Sequence, residues 1–259
     1  MLNILYIGDI FGKPGRRTIK GLLPELKKEY NIDVTIANGE NLAGGLGITP
    51  ATAKEMFDAG IDVLTSGNHL WDKKEIIKYL DEEKRIVRPL NYPPGVPGND
   101  IYEMEIKDMK LVILCLMGRV YTVNVDCPFR TIDAYLEKIH KDSIIFVDIH
   151  AEATAEKKAM AWYLDGRVAA LVGSHTHIQT ADEQILPKHT AYITDVGMTG
   201  AQDSIIGLKK EDGIERFLTQ IPNKFNPSKE NLMINGVVIS VADSRAVNSI
   251  TRIMRKYTP

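Results

Sequence analysis

Short apolar runs alternate with segments of helical period through the first half of the chain. Residues 2–8, 34–38 and 61–65 read as strands, while residues 16–29 and 51–59 carry apolar side chains at the three- and four-residue spacing of a helix face. This βαβ rhythm predicts right-handed crossovers and largely parallel pairing. Thr49 before Pro50 is a helix start, with threonine as the cap and proline at the first helical position. Beyond Asn99 the rhythm changes. Residues 101–106 and 111–116, separated by Lys107-Asp108-Met109-Lys110, predict a hairpin, and helices are expected near residues 131–139 and 155–163. The tail is again strand-like, with residues 233–241 and 246–253 flanking a turn at Ala242-Asp243-Ser244-Arg245. Parallel units combined with late hairpins are housed more easily in two sheets than in one. The expected fold is therefore α/β, a four-layer α-β-β-α sandwich of two mixed sheets flanked by helices. The Pro/Gly-rich stretch 89–98 reads as an ordered surface loop or a half-way hinge.

Length and composition bound the rest. A chain of 259 residues can bury a substantial core, and one domain over residues 1–259 is expected. The net charge of −2 with dispersed basic residues argues against duplex nucleic acid and against an anionic membrane as partners. Small anionic substrates remain open, because a bound metal supplies positive charge that composition does not reveal. The two cysteines, Cys115 in an apolar run and Cys127 in a loop, do not form a disulfide framework. With no export signal at the N-terminus and no apolar stretch near the roughly 20 residues that cross a bilayer, the expectation is a soluble, cytoplasmic protein. A homo-oligomer stays open.

The chemistry is carried by the residues at the strand ends. His175, Thr176 and His177 come directly after the apolar run 168–172 and Gly173, at the rim where open α/β folds place their sites. An isolated H-x-H is at least as often an ordinary pair of loop histidines. Here, however, other strand ends deliver ligand-type residues too: Asp9 after 2–8, Glu40 and Asn41 after 34–39, Asn68 and His69 after 63–67, and His150 after 144–149.

In order, Gly8-Asp9, Gly39-Glu40-Asn41, Gly67-Asn68-His69, His150 and Gly173-Ser174-His175-Thr176-His177 resemble the calcineurin-like metallophosphoesterases. Trp71-Asp72-Lys73-Lys74 and Thr194-Asp195-Val196-Gly197-Met198-Thr199-Gly200 extend the likeness to the YmdB-like bacterial phosphodiesterase subgroup, over nearly the whole chain. Two departures from the wider superfamily fit that subgroup. Ile10 and Phe11 follow Asp9, so its usual D-x-H histidine is missing, and Glu40 replaces the usual bridging aspartate.

The resemblance implies one metal held by Asp9, Glu40, Asn41 and His177 and a second held by Glu40, Asn68, His150 and His175, with Glu40 as the bridge. Two metals about 3.5–4 Å apart would grip the phosphoryl oxygens and generate a bridging hydroxide as nucleophile. The subgroup implies iron; nitrogen and oxygen donors without thiolate also suit manganese or zinc. His69 fits the remaining task, proton donation to the departing oxygen, with hydrogen-bonded support of Asn68 as the plainer role. Asp72 is a candidate to orient it. The substrate class implied is a small phosphate ester, cyclic nucleotides and particularly 2′,3′-cyclic forms. Phosphomonoester hydrolysis uses the same ligands, and a slow nucleotide-binding regulator is a further alternative.

Other motifs weigh less. Ala43-Gly44-Gly45-Leu46-Gly47 reads as a flexible turn rather than a phosphate cradle, and no P-loop is present. Arg119 and Tyr121 are candidates to hold phosphate and base, though such residues are more often structural, and Asp195 is a candidate pocket residue. His140 and His189 read as solvated.

Overall fold

In the computed structural model, which describes every residue except Asn223, Phe225, Arg245 and Pro259, the strands fall into two sheets traced in three passes. The chain opens the first sheet with β1 (Leu2–Ile7), β2 (Asp9–Ile10), β3 (Val34–Asn38), β4 (Val63–Thr65) and β5 (Ile86–Val87). The second sheet comes next without interruption: β6 (Ile101–Ile106), β7 (Met109–Met117), β8 (Ile144–His150), β9 (Ala170–Ser174), β10 (Gln184–Ile185) and β11 (Ala191–Ile193). The last pass, β12 (Met198–Ala201), β13 (Leu232–Val241) and β14 (Val247–Lys256), returns to the first. The spatial orders are β2-β12-β13-β1-β3-β4-β5, with β14 along β13, and β10-β11-β9-β8-β7-β6. Both sheets are mixed. β1, β3, β4 and β5 pair in parallel while β13 runs antiparallel to β1; β7, β8, β9 and β11 are parallel while β6 is antiparallel to β7.

Period-two alternation explains the layering. In β1, Leu2, Ile4 and Tyr6 face the second sheet and share a core with Ile113, Phe146 and Val172. Leu5 and Ile7 face the opposite way, onto Leu22, Leu23 and Leu26 of α1 (Gly12–Glu29), with α2 (Pro50–Asp58) and α3 (Ile76–Glu82) completing that layer. On the far side, Val112, Leu114, Val147 and Ile149 pack on Ile132 of α4 (Pro128–Leu136) and on Met160, Ala161 and Leu164 of α5 (Thr154–Leu164). Three cores between four layers make the expected α-β-β-α sandwich.

The hairpin between β6 and β7 is tighter than its sequence suggests. Lys107 and Asp108 alone form the turn, with φ of 50° and 60° as a type I′ turn requires, because Met109 and Lys110 already pair with Ile106 and Glu105. Thr49 caps α2 as expected, accepting from Thr52 N at 3.1 Å. The turn after β13 is closed by Ala242 N donating to Ala246 O at 2.8 Å; its Arg245 lies outside the described residues. Residues 88–100 carry the chain from the first sheet to the second, and α6 (Lys210–Thr219) precedes β13. Among the described residues no helix is long and apolar enough to cross a membrane.

Candidate metal centre

Parallel strands that end at the same edge of their sheets deliver side chains to one place. Asp9 lies just past β1, Glu40 and Asn41 past β3, Asn68 and His69 past β4, His150 at the end of β8, and His175 and His177 past β9. The tightest group is Glu40, His150 and His175, whose donor atoms all lie within 4.8 Å of one another. His150 Nε2 is 3.0 Å from Glu40 Oε1, 3.2 Å from Asn68 Oδ1 and 3.0 Å from His175 Nδ1. Asp9 joins this group through Oδ2, which accepts from the His175 backbone N–H at 3.2 Å. Asn41 and His177 line the same cavity of about 290 Å³ as Glu40, His69 and His175. Gly67 permits the crowding, since a Cβ there would stand 2.3 Å from His150 Cδ2 and 2.4 Å from Glu40 Oε2.

Two oxygens test whether this donor set suits a cation. Asp9 Oδ1 and Asn41 Oδ1 are buried without a hydrogen-bond partner, a costly arrangement for any oxygen unless a positive charge faces it. Asn41 Nδ2 donates to Gly45 O at 2.9 Å, which fixes the amide so that the unpartnered atom is the oxygen. Together with three imidazoles and Glu40, these form an oxygen-and-nitrogen set without thiolate, suited to first-row transition metals.

The electrostatics of these side chains point the same way. Burial pushes Asp9 up to about 6, against the opposing pull of His177 and His150. Burial also acts to raise Glu40, but the His150 imidazole beside it, with the backbone N–H of His69, holds its carboxyl at about 2. Burial acts to lower His150, yet Glu40, Asp9 and Asp148 raise it to about 9. Burial and the neighbouring His150 charge push His175 down to about 3. A proton on His150 thus carries the positive charge that this cluster of anions demands.

Outer contacts fix the candidate ligands. His177 Nδ1 lies 3.0 Å from Ile206 O, a contact that leaves Nε2 free, and its ring meets Phe11 edge-on at 5.7 Å. Ser174 Oγ donates to Asp148 Oδ1 at 2.7 Å and lies 2.8 Å from His150 Nδ1. Asp148 Oδ2 accepts from Tyr6 OH and Thr65 Oγ1, both at 2.6 Å, so this buried network also ties the two sheets together. His69 is half-buried, its Nδ1 2.8 Å from Asp72 Oδ2.

One expectation from the sequence needs revision, and two lesser candidates take the plainer of their readings. Asp195 does not line the cavity; it is fully buried, paired with Lys157 at 2.7 Å. Arg119 and Tyr121 are exposed outside the cavity lining, with Arg119 N donating to Glu156. Residues 43–47 form a turn, with Ala43 N donating to Gly47 O at 2.9 Å and Gly45 N to Asn41 O at 3.2 Å. Glu152, overlooked in the sequence, lines the cavity with Oε2 3.0 Å from His175 Nε2. It stands two residues beyond His150, at a strand end that already supplies a ligand-type residue.

Candidate donors of this kind, at the strand ends of a two-sheet α-β-β-α sandwich, are the arrangement that a metal-dependent phosphoric ester hydrolase requires. The chain belongs to the YmdB-like protein family, whose model matches residues 5–253. It is 46% identical over 243 residues to a 2′,3′-cyclic-nucleotide 2′-phosphodiesterase of Bacillus subtilis (strain 168), covering 93% of this chain and 92% of that one. A crystal structure of a phosphatase from Mycoplasma pneumoniae superposes with a TM-score of 0.94 at 33% identity, covering 98% of this chain and 93% of that one. A 5′-nucleotidase precursor from Thermus thermophilus shares the fold alone, with a TM-score of 0.59 at 11% identity, covering 98% of this chain and 54% of that one.

Proposed function

We infer that the chain is a two-metal phosphodiesterase acting on small cyclic nucleotides, 2′,3′-cyclic forms foremost. The observation that carries this reading is the Glu40–His150–His175 cluster lying beside two buried oxygens without a hydrogen-bond partner, on Asp9 and Asn41. One cation would be held by Asp9, Glu40, Asn41 and His177 and the other by Glu40, Asn68, His150 and His175, with Glu40 shared. Iron is the metal of choice, manganese and zinc the other fits to this donor set. When bound, the metals supply Lewis acidity toward the phosphoryl oxygens and toward attacking water.

The chain's own residues do the rest. Asp72 accepts from His69 Nδ1; the ring acts as general acid in its imidazolium form, in which Nε2 also carries a proton, hands it to the departing ribose oxygen and leaves a neutral imidazole still bonded to Asp72. Phe11, Leu46 and Ile206 give the cavity an apolar wall for the sugar and base. The B. subtilis relative acts, by its name, on 2′,3′-cyclic nucleotides, which supports the substrate class.

A monoesterase reading is favoured by the Mycoplasma relative's description as a phosphatase, but beyond the two cations the cavity's described lining offers no side-chain cation to a dianion. Among the described lining residues there is no Lys or Arg, whereas Glu40 and Glu152 are both present. A dianionic monoester is ordinarily clamped by guanidinium or ammonium groups; a monoanionic diester needs less. The test is metal analysis of the purified protein with turnover on 2′,3′- and 3′,5′-cyclic nucleotides, a generic diester and a monoester. Two metals and preference for a cyclic diester are expected. Preference for the monoester would overturn the diesterase reading, and nucleotide binding without turnover would favour the regulator.

A further inference from the structure

The last ligand turn is strained. Both histidines have positive φ, uncommon outside glycine: His177, at 65°, sits in the left-handed well that asparagine, aspartate and histidine enter more often than other residues, while His175, at 101°, lies beyond it. Such conformations persist only where the surroundings over-determine them. Directly beneath the turn lies Lys157 on α5, fully buried, with Nζ 2.7 Å from Asp195 Oδ2, itself fully buried. Nζ also donates to Ser174 O at 2.7 Å, the residue before His175. Asp195 Oδ2 accepts from Thr176 N at 3.0 Å and from Thr176 Oγ1 at 2.8 Å, the residue between the histidines. Its Oδ1 accepts from Gly197 N at 2.8 Å.

An isolated buried ion pair is a poor device for stability, because apolar residues of similar volume serve a core as well or better. Lys157 even occupies an apolar position, on the buried face of α5 with Met160, Ala161 and Leu164. Lys157 holds Ser174 on one side of His175 and Asp195 holds Thr176 on the other, so the pair grips the turn from both sides.

We propose that Lys157 and Asp195 are positioning residues, which together lock the His175-Thr176-His177 turn in the conformation that offers both imidazoles to the metals. The assignment rests on the two-metal reading of the site. Its test is calorimetric titration of chelator-stripped protein with Mn²⁺, alongside thermal unfolding, for the wild type, Lys157→Met/Asp195→Leu and Thr176→Val. The double substitution removes both charges at once, so neither is left buried alone. It is expected to fold yet to bind Mn²⁺ about 10–100-fold more weakly, the usual loss when partners of metal ligands are removed. Thr176→Val, which deletes only the hydroxyl anchor, is expected to fold normally and to bind severalfold more weakly. A folded double variant with wild-type affinity overturns the proposal. If the double variant does not fold, wild-type affinity in Thr176→Val overturns it. A wild type that binds no Mn²⁺ removes the metal site and the proposal with it, whereas a binding wild type with indifferent variants removes only the proposal.

Discussion

Asp72 Oδ2 accepts a hydrogen bond from His69 Nδ1 at 2.8 Å, across a single short turn, and His69 lines the cavity. His69→Ala is therefore expected to keep its metals and lose about 10²–10⁴-fold in rate on a 2′,3′-cyclic nucleotide. The loss on a nitrophenyl diester, whose leaving group needs little protonation, should be far smaller. Equal losses on both substrates would exclude proton donation. Asp72→Asn should give the same leaving-group pattern at reduced size.

Glu40→Gln should abolish turnover and metal binding while leaving the fold intact. Its carboxyl is ionised down to about pH 2, and a neutral amide cannot offset two cations. Metal content by mass spectrometry and far-ultraviolet dichroism decide the point; two retained metals would show that Glu40 is not the bridge.

Gly67→Ala places a methyl group 2.3 Å from the His150 ring and 2.4 Å from Glu40 Oε2, so these side chains must move apart. A destabilisation of about 1–3 kcal/mol is expected from the overpacking, with a larger proportional loss of metal affinity. Denaturant unfolding and Mn²⁺ titration measure the two effects separately.

Metal loading should expel a proton. His150 is raised from 6.5 to about 9 in the metal-free protein, so at about pH 7.5 it is protonated and must give that proton up to bind a cation. Calorimetry in buffers of different ionisation enthalpy should detect the release, and affinity should climb up to about pH 9. For stability the sign follows from the raised value: the contribution of His150 is complete below pH 6.5 and is lost as pH rises through 9. Metal-free protein should therefore melt at a lower temperature above pH 9 than at neutral pH, and metal-loaded protein should not show this fall.

Glu152→Gln keeps an acceptor for His175 but removes a charge from the cavity mouth. The ratio of kcat/KM for a monoester to that for a diester should rise, since one source of repulsion toward a dianion is gone. An unchanged ratio would show that the charge of Glu152 plays no part in selection.

Much of this arrangement is legible in the sequence because strand ends are legible. Apolar runs locate β1, β3, β4, β8 and β9, and the next residues fall at one edge by the geometry of parallel pairing, which gathers Asp9, Glu40, Asn68, His150 and His175. What period and composition conceal is the third dimension. Asp195 lies just past β11 and so reads as a pocket residue, yet its carboxylate turns inward to Lys157. Lys157 itself leaves a faint mark, a lysine at the first position of a 157, 160, 161, 164 buried stripe, where a charge demands a partner. The Tyr6–Asp148–Thr65 network joins residues more than 80 positions apart, and no local pattern encodes it.

The seven proposed donors are divided between the two sheets: Asp9, Glu40, Asn41 and Asn68 from the first, His150, His175 and His177 from the second. Bound cations would therefore act as cross-links between layers, as a disulfide does between strands elsewhere. Because unfolded chains hold no such set, binding favours the native state by mass action. Metal starvation should then reach this protein as faster proteolysis as well as idle active sites, so that its lifetime in a cell follows the supply of its cation.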